Sequence, residues 1–158
     1  MTGYFGSPSI IFDLDTLIGV FGNSMFIVKY SISGNVLWTK SAGGIGGGSR
    51  ISIATDKQGN IYFPGFFSTS SIIFGSDTLI NTNTGNDVYI VKYDSSGNVL
   101  WAKNAGGWSS DQALSAAVDS SSNIYVGGVF FSDSLIFGLD TLINAGAQDM
   151  FFVKYDSN

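Results

Sequence analysis

The sequence predicts an all-β fold, a propeller-like array of four-stranded antiparallel blades, and three observations support this prediction. A unit of about 63 residues recurs through nearly the whole chain of 158 residues. Each unit consists of short segments rich in β-branched and aromatic residues, separated by turns of Gly, Asn and Asp. Glu is absent, and Lys and Arg together number only 7, so the residues that usually build surface helices are scarce.

The composition excludes several classes of site. The chain contains no His, Cys or Glu, so it cannot form disulfides, Cys- or His-ligated metal centres, or a Ser-His-Asp triad. A net charge of −5 argues against a nucleic-acid partner, which requires clustered Lys and Arg. Apolar runs are short and broken by Gly, Ser and Asp, so no membrane insertion is expected. Because 44% of the residues are hydrophobic, the chain can nevertheless build a sizeable core.

The repeat is visible in several motifs that keep the same spacing. The lysines of Ile27–Tyr30, Ile90–Tyr93 and Phe152–Tyr155 are 63 and 62 residues apart. Further copies are Ser33–Trp38 with Ser96–Trp101, and Asp15–Ile18 with Asp77–Ile80 and Asp140–Ile143. The chain therefore holds about two and a half units. We interpret it as one repeat array, with a partial unit at 1–40, a full unit at 41–103 and a partial unit at 104–158.

The middle unit shows how a blade is expected to form. Its predicted strands are 51–55, 61–67, 88–93 and 99–103, with an accessory hairpin at 71–80. Turns rich in Asp, Gly and Asn separate the strands. Pro64 and Gly65 predict a bulge or a sheet edge within the second strand. Neighbouring units must stack to bury both faces of each blade, which favours a propeller and leaves a β-solenoid or another stacked β-repeat as the alternative.

The two partial units predict self-association. By this strand assignment the first blade lacks its first strand and the last blade lacks its fourth. Each would then present an unpaired edge and an uncovered sheet face to another chain. We expect copies of the chain to assemble, either into a closed ring or head to tail into a filament.

One segment resembles a known repeat family. The run Asp94–Trp101 reads Asp-Ser-Ser-Gly-Asn-Val-Leu-Trp and is followed by Ala105-Gly-Gly, while Gly59–Tyr62 reads Gly-Asn-Ile-Tyr. These elements resemble the bacterial SBBP-type β-propeller repeat, and the Gly97-x-x-x-Trp101 element is distantly similar to the blades of quinoprotein-type propellers. The resemblance implies a secreted or surface-attached bacterial protein whose repeats act as a scaffold or interaction surface. No signal peptide is visible at Met1–Tyr4.

Most polar and aromatic residues that recur in phase are interpreted as structural. Trp38 and Trp101 are expected to pack between blades, and Gly34 and Gly97 to supply positive φ in turns. The lysines on the third strand are expected at exposed strand positions, where they discourage edge-to-edge pairing. The recurrent aspartates are expected to cap tight turns through backbone N–H groups. The lysines are Lys29, Lys92 and Lys154, and the aspartates are Asp15, Asp77 and Asp140.

Residues that break the repeat are better candidates for a functional site. Asp13 precedes Asp15 by two residues, which would place two carboxylates on one strand face and makes them weak candidates for calcium. Trp108, Phe130 and Phe131 are candidates for stacking on a carbohydrate, since Asn, Asp and Ser flank them. The glycine run at 43–48 lacks a following helix and a Walker lysine, so no phosphate site is expected.

The sequence favours a non-enzymatic structural or interaction module that self-assembles. A lectin-like module built around Trp108 is the alternative. A propeller hydrolase is the least favoured hypothesis, because the chain has no Glu or His and no non-repeating acidic cluster beyond the Asp13 and Asp15 pair. No cofactor is expected, with calcium at Asp13 and Asp15 as the alternative. The resemblance implies a location outside the bacterial cell or on its surface.

Overall fold

The computed structural model describes residues 1–20, 23–45 and 52–156, and it confirms the all-β, propeller-like prediction. Of the segments discussed above, Gly46–Gly48 and Ile51 lie outside the described residues. The described residues form sixteen strands and no helix. The strands are β1 (Thr2–Phe5), β2 (Ser9–Phe12), β3 (Asp15–Ile18), β4 (Asn23–Tyr30), β5 (Val36–Ile45), β6 (Ala54–Thr55), β7 (Ile61–Phe67), β8 (Ser71–Phe74), β9 (Asp77–Ile80), β10 (Asp87–Tyr93), β11 (Val99–Ala105), β12 (Asp111–Val118), β13 (Ile124–Phe130), β14 (Ser134–Phe137), β15 (Asp140–Ile143) and β16 (Asp149–Tyr155).

The three principal antiparallel sheets have the same strand order, but among the described residues only the second contains all four strands of a blade. The second sheet has the order β6-β7-β10-β11, which is the full four-stranded blade. The first sheet, β1-β4-β5, has no counterpart of β6 among the described residues. The third sheet, β12-β13-β16, has no counterpart of β11 there. The strand assignment made from the repeat therefore matches the observed sheet topology.

Each unit also carries a separate two-stranded hairpin between the second and third strands of its blade. These hairpins are β2–β3, β8–β9 and β14–β15, and we call them the bridging hairpins. Their tight turns begin at Asp13, Gly75 and Gly138, whose φ angles are 52°, 60° and 63°. This left-handed conformation explains why glycine occupies the position in two units, and Asp is among the few other residues that tolerate it.

The core lies in two seams where neighbouring sheets face each other. In the first seam, Met25 and Ile27 of the first sheet pack with Phe63 and Tyr89 of the second. In the second seam, the opposite face of the second sheet packs against the third sheet. Hairpin β8–β9 contacts both β5 and β11, so it joins the outer strands of two successive blades. Each seam is thus built by two sheets and one bridging hairpin.

Glycines at one recurrent position seat an aromatic ring on the neighbouring strand. A Cβ atom built on Gly3 would lie 2.6 Å from the Phe26 ring, and one built on Gly128 would lie 2.5 Å from the Phe151 ring. In the middle unit, Gly65 provides the same space for the ring of Tyr89. Only glycine permits so close an approach of ring to backbone.

Pro64 lies in a regular part of β7, contrary to the expectation of a bulge. The pairing of β7 with β10 continues through Pro64 and Gly65 without a shift in register. The expectation of an edge does hold locally, because among the described residues β6 pairs with β7 only at Ile61 and Tyr62. Proline is tolerated there because it removes no hydrogen bond from the β6 ladder.

The Asp-rich turns are held by their own side chains. The Asp94 carboxylate accepts hydrogen bonds from the backbone N–H groups of Ser96 and Asn98 at 2.8 Å, and from the Asn98 amide at 2.8 Å. Asp56 and Asp119 make the same set of bonds in their turns. The bond from the Asn98 side chain is the main cause that lowers the pKa of Asp94. These carboxylates stabilise the turns in their ionised form.

Candidate functional site

The recurrent lysines do not all occupy exposed strand positions. Lys92 is only 7% exposed, and its Nζ lies 5.3 Å from the centre of the Tyr62 ring in the second seam. Lys29 donates a hydrogen bond from Nζ to the Ser95 carbonyl across the first seam, at 2.6 Å. The prediction of exposure is wrong for Lys92, because alternate residues of the third strand face the next blade. The lysine stem fills space there and its ammonium meets an aromatic face.

The recurrent aspartates join the bridging hairpins to the fourth strand of their own blade. Asp77 accepts a hydrogen bond from the Ala102 N–H at 2.8 Å, and Asp15 accepts one from the Thr39 hydroxyl at 3.1 Å. Asp140 occupies the same position in the third unit, whose sheet has no described fourth strand. Asp77 and Asp15 therefore accept hydrogen bonds from the fourth strand of their blade, and not from the turns that they were expected to cap.

Asp13 and Asp15 do not share a strand face as the sequence predicted. Asp13 lies in the turn before β3, whereas Asp15 is the first residue of β3. Asp13 accepts a hydrogen bond from the Val36 N–H at 3.3 Å. The i, i+2 argument fails because it assumed an extended backbone at Asp13, where the chain is left-handed. Both carboxylates have partners on β5.

The recurrent tryptophans lie along the seams. Trp38 packs against the first seam and donates its indole N–H to the Ser95 carbonyl of the next unit at 3.2 Å. Trp101 packs against the second seam, with its ring centre 6.0 Å from that of Tyr155 and 6.3 Å from that of Tyr62. Gly34 and Gly97 have φ angles of 86° and 83° in the turns before these strands.

The three aromatic candidates for carbohydrate stacking differ sharply in accessibility. Trp108 is 84% exposed and Phe131 is 41% exposed, so both present ring surface to solvent. Phe130 is 1% exposed and belongs to the core of the second seam. A ligand on this side of the molecule would therefore meet Trp108 and Phe131, while Phe130 is a packing residue.

One sheet face is left uncovered in the described structure, and it is the strongest candidate for an interface. Met150 and Phe152 on β16 are 80% and 70% exposed. Their equivalents in the middle unit, Val88 and Ile90, are 0% and 1% exposed in the second seam. Met25 and Ile27 of the first unit are both 0% exposed in the first seam.

The surroundings of Met150 and Phe152 are also those of a seam. Tyr125 stacks on Phe152 with a centroid distance of 5.7 Å, and the Lys154 ammonium lies 5.9 Å from the centre of the Tyr125 ring. This pair repeats the contact of Lys92 with Tyr62 that is buried in the second seam. We call Tyr125, Met150, Phe152 and Lys154 the open face. Aligning the repeat units would have identified these positions from the sequence.

A pair of buried carboxyl groups lies where the second and third sheets meet. Asp87 is 5% exposed and Asp111 is 0% exposed. Burial raises the pKa of Asp87 to about 6, with a further contribution from the negative charge of Asp111. A hydrogen bond from the Asn104 side chain opposes this shift. Sequence reasoning overlooked both residues because neither belongs to a recognisable motif.

The pKa of Asp87 predicts a pH-dependent stability in the absence of bound cations. The pKa is raised from 3.8 to about 6 by folding, so the folded state holds the proton more tightly than the unfolded state. The free energy of unfolding should therefore fall as the pH rises from about 4 to about 6, and stay low above that. The expected loss is about 1–2 kcal/mol after allowance for solvent screening.

Chemical denaturation in EDTA between pH 4 and 7.5 measures this dependence. Asp87→Asn should flatten the slope, whereas the exposed Asp133→Asn should leave it unchanged. If the free energy of unfolding of Asp87→Asn depends on pH as in the unaltered chain, another titratable group causes the dependence.

Comparisons with known proteins support a propeller-type repeat. No family model matches the chain. The chain is 33% identical over 146 residues to an uncharacterized WD repeat-containing protein, L264, of Acanthamoeba polyphaga mimivirus. This alignment covers 84% of this chain and 10% of that protein. The chain is 26% identical over 145 residues to the regulatory protein FlaEY of Caulobacter vibrioides, covering 84% of this chain and 15% of that protein. The chain thus spans a small part of each relative's length.

Among the described residues, no helix has the length and apolar character needed to cross a bilayer.

Proposed function

We propose that the chain is a non-enzymatic structural or interaction module of SBBP-type blades that associates with copies of itself through the open face. The observation that carries this proposal is the contrast in burial at equivalent positions. Residues of the third strand that face the next blade are fully buried in the first two units and largely exposed in the third. A face with the composition of a seam and no neighbour is expected to bind another blade.

The first unit offers a complementary surface. Ile10, Phe12 and Leu17 of its bridging hairpin are only partly buried, whereas Ile72 and Phe74 of the second hairpin are each 2% exposed. The difference arises because the second hairpin also packs against a preceding sheet. If the first hairpin and sheet of one copy cover the open face of another, both surfaces reach the burial seen in the seams. Full burial of a Met or Phe side chain contributes about 1.5–3 kcal/mol.

This contact joins two different surfaces, so it is heterologous. Heterologous contacts generate closed rings when the rotation between copies closes, and filaments when it does not. The strand edges of β1 and β16 would lie beside the same contact and could add backbone pairing. Electron microscopy of the assembled protein distinguishes the two forms.

Phe152→Asp tests the proposal. The substitution puts a charge in the centre of the open face, and Leu139→Asp is the matched control, because Leu139 is fully exposed at a hairpin turn away from that face. In sedimentation velocity at about 50 μM, we expect the unaltered chain and Leu139→Asp to have masses that are multiples of 16.7 kDa. Phe152→Asp should be a folded monomer. A monodisperse monomer of the unaltered chain at this concentration would refute self-association.

A lectin-like module is a second candidate, favoured by the exposure of Trp108. An indole that is 84% exposed beside the exposed Phe131 can stack on the apolar face of a sugar ring. Trp108→Ala would then abolish binding on a glycan array while leaving the assembly state unchanged. Under either proposal we place the protein outside the bacterial cell or on its surface, as the SBBP resemblance implies.

A further inference from the structure

The position of Asp87 differs from its equivalents in the other two units. In the first unit the equivalent residue is Ser24, whose hydroxyl accepts a hydrogen bond from the Val20 N–H at 3.1 Å. In the third unit it is Asp149, whose carboxylate accepts one from the Ala145 N–H at 2.6 Å. In both units the donor lies four residues earlier in the preceding loop.

The corresponding loop of the middle unit is one residue longer, and this removes the bond. The residue four positions before Asp87 is Asn83, whose N–H donates to the Asn81 side chain at 2.9 Å. As a result, Oδ1 of Asp87 is buried and has no hydrogen-bond partner in the described structure. A Cβ atom at Gly106 would collide with this carboxyl group, so the glycine is what gives Asp87 room in the seam.

Asp111 approaches the same place from the third sheet and is held as an acceptor. Its Oδ1 accepts hydrogen bonds from the N–H groups of Phe131 and Ser132 at 3.1 and 3.2 Å, and its Oδ2 accepts one from the Ser132 hydroxyl at 2.7 Å. Its own N–H donates to the carbonyl of Asn86, the residue before Asp87, at 2.7 Å. Three donors fix the orientation of the Asp111 carboxylate.

The pair therefore has a surplus of negative charge in a buried setting. Within the described residues, neither carboxylate forms an ion pair. Asp87 keeps a hydrogen bond from the Asn104 side chain, but its Oδ1 has no partner in the described structure. A buried, ionised carboxylate whose oxygens are not all hydrogen-bonded is costly, and a second carboxylate nearby adds repulsion. A positive charge placed against Oδ1 of Asp87 would remove both costs.

We propose that Asp87 and Asp111 bind a hard divalent cation of the Ca²⁺ class where the second and third sheets meet. Such cations prefer oxygen ligands, of which Ca²⁺ takes six to eight. Two carboxylates supply part of that number, and water and backbone carbonyls would complete it. With so few charged ligands the dissociation constant should lie at about 10⁻⁴–10⁻³ M, the range of extracellular calcium modules. The cation would link two blades within one chain, so this inference is independent of self-association.

Calcium titration of chelator-treated protein tests the inference. We expect isothermal titration calorimetry at pH 7.5 to detect one site in the unaltered chain, and the melting temperature to rise with CaCl₂ concentration. Asp87→Asn keeps the shape of the side chain and removes its charge, so it should fold and lose both responses. Asp149→Asn is the control at the equivalent position, because Asp149 already accepts a backbone hydrogen bond, and it should keep both responses.

The outcomes separate a cation site from a protonated carboxyl pair. Binding heat and a calcium-dependent melting shift that both disappear in Asp87→Asn alone would support the site. Equal melting shifts in all three proteins would indicate a general salt effect and overturn the proposal. The proposal would also be overturned if calcium had no effect and Asp87→Asn abolished a pH-dependent stability. That result would mean that a proton, and not a cation, neutralises the Asp87 carboxylate.

Discussion

Replacing Phe74 by alanine is expected to lower the free energy of unfolding by about 3–5 kcal/mol, the cost typical of removing a buried Phe side chain. Phe74 is 2% exposed, and its ring centre lies 5.1 Å from that of Tyr89. It belongs to the hairpin that contacts the outer strands of both the first and second blades. The cavity would therefore open where three structural elements meet. Equilibrium urea denaturation followed by circular dichroism measures the loss.

Phe12→Ala is the matched control for this prediction. Phe12 occupies the same hairpin position in the first unit, and its ring centre lies 5.0 Å from that of Phe26. No described sheet covers it from the preceding side, so it is only partly buried. We expect roughly half the loss seen for Phe74→Ala, because less apolar area is removed from contact. Equal losses would show that the seam contributes nothing beyond the hairpin's contact with its own sheet.

Gly65→Ala is expected to destabilise the protein by about 1–3 kcal/mol, although it adds a single methyl group. That group would lie 2.5 Å from Cζ of Tyr89, and Tyr89 is 0% exposed. The ring cannot retreat easily, since the rings of Phe63 and Phe74 lie 5.9 and 5.1 Å from it. Thermal and urea unfolding of the variant measure the cost.

Two further variants control for backbone effects and examine the Tyr89 hydroxyl. Gly146→Ala places its Cβ where no atom lies within 4 Å, so stability should change by less than about 0.5 kcal/mol. Tyr89→Phe should stabilise the protein by about 1–3 kcal/mol, because the buried hydroxyl has no hydrogen-bond partner in the described structure. Phe26 and Phe151 hold the equivalent positions and show that the site accepts phenylalanine. A loss of stability in Tyr89→Phe would mean that the hydroxyl has a solvent partner.

The repeat made most of the fold predictable. Turn chemistry at Asp94–Asn98 and alternation in segments such as Val88–Tyr93 are local signals, and the repeat presents each of them more than once. Agreement between copies replaced the information that homologous sequences usually provide. The order of strands within the blade followed from short connections, which place consecutive strands side by side.

The features that were missed depend on contacts between units. Lys92 is a charged residue whose burial is decided by the blade packed against it, and no pattern within its own strand indicates that contact. The alternation of Asp13-Leu-Asp15 predicts a strand at Asp13, whereas the hairpin turn requires a left-handed residue there. The environment of Asp87 depends on two such effects: one inserted residue in the preceding loop, and the approach of Asp111, which is 24 positions away on another sheet. Such tertiary effects override local propensity.

The bridging hairpins bear on how such a protein can evolve. Hairpin β8–β9 contacts the outer strand of the preceding blade, and β14 contacts β11 in the same way. Each 63-residue segment of the gene therefore encodes both a blade and the element that fastens it to the blade before. Tandem duplication or deletion of such a segment would change the number of blades while preserving every remaining junction. Unequal recombination could thus lengthen or shorten the array without compensating substitutions, which gives a lineage access to assemblies of different size.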